Sequence, residues 1–141
     1  MVKDETSSDI TVSLEWAKKL KEAGWLQDGA LFCWWLRIGH TEYELSPAIF
    51  LKNGEFAAPT AEEILRRLPV YFTKGNEKRV MRIMKHEDGR YSVFYESYAI
   101  KTGMGELPYY DIPEIKKHDT LANASASMYC YLAENNLLPS S

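Results

Sequence analysis

Two strand-like segments, Arg79 to His86 and Arg90 to Tyr98, flank the pair Asp88-Gly89. No other feature of the chain constrains its fold as much. Asp-Gly suits the two-residue type I′ turn, whose twist matches the strands it joins. With that loop length the register follows: Met84 faces Val93, Arg82 faces Tyr95, Ile83 faces Phe94 and His86 faces Tyr91. One face of the hairpin then carries Val80, Met84, Val93, Tyr91 and Tyr95. An apolar sheet face needs cover, and helices are the obvious source.

Three segments supply helices. Ser13 can cap residues 14–23, which carry Glu15 in the first turn, Leu14, Ala17 and Leu20 on one stripe, and Gly24 just past the end. Pro59-Thr60-Ala61-Glu62-Glu63 has the form of a capping box, with Thr60 as cap and Glu63 reaching back. The helix it starts runs over 60–68, turns Ile64, Leu65 and Leu68 inward, and stops at Pro69. The last helix spans 120–134 behind Asp119 as cap, with Leu121, Ala124, Met128, Tyr131 and Leu132 inward and Asn135-Asn136 closing it.

A further hairpin is expected from Leu31 to Arg37, which is apolar on both faces, and Glu42 to Leu45. Gly39 and His40 turn the chain, and Pro47 ends or bends the return strand. Asn53-Gly54 marks another turn. The order is α-β-β-α-β-β-α, an α+β fold with a small, mostly antiparallel sheet of about four strands and three helices. It forms a single domain over residues 11–138, with a flexible leader at 1–10 and a short tail at 139–141. Residues 99–118 show no sustained period and are broken by Gly103, Gly105, Pro108 and Pro113, so they form a long loop.

Composition narrows the function classes. A net charge of −3 gives no basic footprint for nucleic acid or an anionic membrane, so nucleic acid is an unfavoured partner. The longest apolar run, Ala30 to Leu36, falls far short of the ~20 residues needed to cross a bilayer. Met1 to Ile10 is acidic and polar, unlike a secretory signal, and a cytoplasmic location is expected. Cys33 and Cys130 lie in apolar runs without metal or redox spacing and read as small buried hydrophobes.

No motif carries chemistry. His40, His86 and His118 lie apart in a turn, a strand and a loop without metal-ligand spacing, so no metal and no cofactor are expected. Glu62-Glu63 is explained by capping and Glu87-Asp88 by turn chemistry. Gly103-Met104-Gly105 lacks the third glycine, the lysine and the following helix of a phosphate loop. The segment Lys74 to Arg90 has six basic residues against three acids, best explained as a solvated strand edge. Only if Tyr91 and Tyr95 faced water beside Arg82 could they stack on a base or adenine ring. The chain is therefore read as a non-enzyme.

The segments Ser13 to Gly24, Ala57 to Leu65 and Ala122 to Leu137, taken together, resemble a family of small uncharacterised proteins of bacteriophages, prophages and other bacterial mobile elements. The resemblance spans most of residues 11–138 in order and implies a setting but no residue roles. The expected function is a non-enzymatic binding or accessory protein that docks on a host or phage macromolecule, through a protein partner or self-association. The alternative is a domain that binds or sequesters a small ligand with its aromatic hairpin faces and the 99–118 loop. Adjacent rings on a strand point to opposite faces, so Trp34 and Trp35 cannot enter one core layer, and one of them becomes available to a partner. With Met104, Tyr109 and Tyr110 from the long loop, they form the candidate binding surface. Leu107 and Ile112 add to the apolar content of that loop; the bland alternative is that these side chains plug the core.

Overall fold

The computed structural model describes residues 10–36, 39, 41–47, 55–74, 77–99 and 116–138. The rest of the leader, the tail, most of the 99–118 stretch, His40 and the Asn53-Gly54 pair lie outside the described residues. The elements, in chain order, are α1 (Leu14–Glu22), β1 (Phe32–Leu36), β2 (Tyr43–Pro47), β3 (Phe56–Ala57), α2 (Ala61–Arg67), β4 (Tyr71–Lys74), β5 (Glu77–Lys85), β6 (Tyr91–Ala99) and α3 (Leu121–Glu134). The architecture is α+β and antiparallel with three helices, and its strands form two three-stranded sheets, β2-β1-β3 and β4-β5-β6. The expectation of about four strands in one sheet missed β3 and β4. Both are too short to show alternation, and they exist because a neighbour offers a free ladder.

Helix starts follow local chemistry. Ser13 accepts from the Trp16 backbone N–H, and Gly24 sits beyond α1 at φ +95°. Thr60 Oγ1 accepts from Glu63 N at 3.2 Å while Thr60 N donates to Glu63 Oε1 at 3.0 Å, which completes the capping box. For α3 the cap is Thr120 rather than Asp119, its hydroxyl accepting from Asn123 N. Asn136 closes α3 at φ 57°. The buried face of α3 also differs from the expected stripe, since Ala122, Ala126, Tyr129 and Cys130 go inward and Tyr131 is 47% exposed. Small residues face in because α1, α2 and β6 all press on this helix, and Ser125 returns its hydroxyl to Leu121 O.

The β5–β6 hairpin corrects the expected register by one residue. Lys85 pairs with Tyr91, Ile83 with Val93, Arg82 with Phe94 and Met81 with Tyr95. His86 N donates to Arg90 O and Gly89 N to His86 O, so the loop holds three residues, Glu87-Asp88-Gly89. Gly89 alone takes positive φ, at +87°, which is a type I turn closed by a glycine bulge rather than a type I′ turn. Asp88 keeps negative φ and uses its carboxylate to accept from Arg90 N at 3.0 Å. A slip of one residue exchanges the faces. Val93 and Tyr95 turn to the core with Met81, while Met84 is exposed and Arg82 shares the other face with Phe94 and Glu96. Tyr95 is 2% exposed and donates to Pro69 O at 2.6 Å, so it cannot stack on a base beside Arg82.

Leu20, Ile64 and Leu132 are fully buried where the three helices meet, and α3 lies on β6. β6, an edge strand, is therefore buried on both faces from Ser92 to Ser97, whereas the central β5 is largely exposed. Among the described residues no helix is long and apolar enough to cross a membrane.

Candidate functional site

β1 is the middle strand of its sheet, and its two tryptophans do diverge. Trp34 packs on the core and donates from Nε1 to Val12 O at 3.0 Å, while Trp35 lies half-buried on the opposite face. Neither lines the cleft between α1, α3 and the second sheet. Met104, Tyr109 and Tyr110 lie outside the described residues. Three of the six basic residues between Lys74 and Arg90 are held in ion pairs: Arg79 with Glu77, Arg82 with Glu96 and Arg90 with Asp88.

A cleft of about 910 Å³ opens between α1, α3 and the second sheet. Its helical walls carry Trp16 and Lys19 from α1, and Met128, Cys130 and Tyr131 from α3. Both helices begin at the same end, where Ser13 N donates to Asn123 Oδ1 at 2.9 Å and the Trp16 ring meets His118 edge-on at 5.5 Å. The opposite wall contains three consecutive residues of β6, Val93, Phe94 and Tyr95. Side chains alternate along a strand, so three in a row on one wall place the cleft against both faces of β6, although all three residues are buried.

The hydrogen-bond pattern of the ladder decides which backbone groups of β6 face away from β5. Antiparallel ladders alternate between hydrogen-bonded and non-hydrogen-bonded pairs. His86 with Arg90 is bonded, so the bonded pairs continue at Ser92, Phe94 and Glu96, and the backbone groups of Tyr91, Val93, Tyr95 and Ser97 point outward. Tyr91 is satisfied by His118, donating to its carbonyl at 2.7 Å and accepting from its N–H at 2.8 Å. Beside this bridge Ser92 Oγ donates to the Lys116 carbonyl at 2.7 Å. Among the described residues no strand pairs with Val93, Tyr95 or Ser97 on that side.

Chemical groups near the cleft are quiet. Ser92 Oγ also lies 2.7 Å from His86 Nε2, the spacing of a nucleophile and its base. Its one hydrogen is committed to Lys116 O, so the imidazole must be the donor, and the hydroxyl is wholly buried. That is a clamp on the chain, with the proton on the wrong partner for general-base catalysis. Burial pushes the Cys130 thiol up to about 11, aided by Glu134, which keeps it protonated. Burial likewise lowers His118, with Lys116 contributing, and its Nε2 is a buried atom without a hydrogen-bond partner. Among the described residues no group of three His, Cys, Asp or Glu could hold a metal ion.

Sequence reasoning missed the assembly of Trp16, Val93 to Tyr95, Lys116 and His118, and no local signal could have found it. Comparison with protein-family models, with curated proteins and with solved structures finds no match to this chain.

Proposed function

We propose that this protein is a non-enzymatic binding protein that docks on another protein by taking apolar side chains of it into the cleft between α1, α3 and the second sheet. The observation that carries the reading is a cleft of about 910 Å³ walled by Trp16, Met128 and the half-exposed Tyr131. Association costs ~4–15 kcal/mol, so the guest has to bury enough apolar surface on that wall to exceed it. The setting we propose is an accessory protein of a phage or other mobile element, which rests on the family resemblance. The cytoplasm is the proposed compartment, supported by two buried cysteines that form no disulfide.

A set of random nonapeptides selected against the immobilised protein tests this. Peptides selected in this way should carry apolar anchors and lose about tenfold in affinity on Tyr131→Ala, a half-exposed wall residue whose truncation leaves the core packing in place. Binding indifferent to that substitution overturns the reading. The cleft's volume supports a second occupant, a small apolar ligand, because pockets of ~300–1,000 Å³ suit such molecules. A thermal shift with metabolites and none with any selected peptide would favour it.

A further inference from the structure

β5 has nine residues and β4 only four, so β4 cannot cover β5 along its whole length. β4 pairs with Glu77 to Val80, and Val70, which leads into it, accepts from Met81 N at 2.9 Å through its carbonyl. Beyond that bond, among the described residues, no strand lies beside Arg82 to Lys85 on this side. Backbone direction alternates along an antiparallel ladder, so Ile83 and Lys85 point outward with Met81, while Arg82 and Met84 bond to Phe94 and Ser92 of β6. All four side chains from Arg82 to Lys85 are exposed, which leaves neither face of this half-strand covered. Apolar surface gathers at the step. Val70 and Ile83, 70% and 48% exposed, share one face, and Tyr71 and Met84, 54% and 39% exposed, share the other.

The charges around the step select what fits there. Lys78 holds its ammonium 4.5 Å over the Tyr71 ring and Lys85 holds its own 5.5 Å over Tyr91, and neither is in an ion pair among the described residues. An ammonium resting on a ring keeps its hydrogens for a carboxylate. The acids close by are committed, Glu77 to Arg79, Glu96 to Arg82 and Asp88 to Arg90, which leaves Glu87 out in the turn. We infer that the Arg82–Lys85 edge of β5 is a second docking surface, none of whose residues lines the cleft, and that it takes an extended acidic and apolar segment of another protein as an added strand where β4 leaves off. An antiparallel guest keeps the direction of β4, meeting Lys85 first and Ile83 two residues later. It carries an acid opposite Lys85 and an apolar residue opposite Ile83, and the residue between them faces Met84. A second copy of this chain is a poor occupant, because it brings Arg82 and Lys85 up to the same cations. Lysine on an exposed edge turns such a strand away and admits an acidic one.

Amide hydrogen exchange in the free protein is the first test. Arg82 and Met84, bonded to β6, should exchange at least about tenfold more slowly than Ile83 and Lys85. Equal protection of all four means that the edge is already paired, within the chain or by a second copy, and overturns the inference. Random nonapeptides selected against the immobilised protein, and bearing an acid two residues before an apolar side chain, should then protect Ile83 and Lys85. Lys85→Glu, which turns an attraction into a repulsion at an exposed position, should weaken those peptides about tenfold. Tyr131→Ala, on the cleft wall, should change their affinity less than about twofold. Acidic binders that leave the Ile83 and Lys85 amides unprotected or ignore Lys85→Glu, or a selection that yields no acidic binders, overturn the inference. The cleft reading is untouched by any of these results, since it stands or falls with Tyr131→Ala.

Discussion

Ser92, Ser97 and Ser125 are all wholly buried, yet replacing each with alanine should move stability in different directions. Ser92 Oγ accepts from His86 and donates to the Lys116 carbonyl, both at 2.7 Å, so Ser92→Ala leaves two groups without their partner and should cost ~1–3 kcal/mol. Ser125 Oγ donates to Leu121 O at 2.8 Å, a carbonyl in the first turn of a helix. Losing that bond is offset by the higher helix propensity of alanine, so Ser125→Ala should fall within ~0.5 kcal/mol of zero. Ser97 Oγ has no hydrogen-bond partner, and a buried hydroxyl without one costs ~1–3 kcal/mol. Ser97→Ala should therefore stabilise the protein by ~1 kcal/mol, about 4 °C in Tm for a chain of this size. Urea and thermal unfolding of the three variants give the order directly: Ser97→Ala highest, Ser125→Ala near the parent, Ser92→Ala lowest. If Ser97→Ala melts as low as Ser92→Ala, the hydroxyl at 97 is satisfied and the reasoning from unpaired buried groups is wrong.

Thr60→Ala removes one half of the capping box and should cost ~1 kcal/mol, with an unchanged melting curve counting against the cap. His118 titrates below its ordinary 6.5, so the unfolded chain takes up that proton first. Its contribution to stability is whole above pH 6.5 and declines as the pH falls below that value; His118→Gln should flatten this part of the stability–pH curve. The Arg90 guanidinium and backbone N–H hold Asp88 down at about 2. Its stabilising effect is present above 3.8 and is lost between there and about 2, so a carboxyl midpoint near 3.8 by NMR would refute the turn geometry.

What the sequence determined by itself is what a few neighbouring residues can settle. The Ser13 and Thr60 caps, the Asn136 closure and the Pro69 stop depend on hydrogen bonds or backbone limits that act within about one helical turn. The β5–β6 hairpin was legible for the same reason. Its register was not, because Asp-Gly serves both a two-residue type I′ loop and a three-residue loop closed by a glycine bulge, and the two lengths shift the pairing by one residue. Tertiary structure decided the rest. The division into two sheets follows from ladders that pair Cys33 with Ala57 and Tyr71 with Val80, and two- or four-residue strands show no period of their own. The inward face of α3 was set by three elements packed around it, and no helical stripe can announce that. The cleft draws on segments as far apart as Trp16 and Glu134. Such a site comes from packing between distant segments, and only the folded chain specifies it.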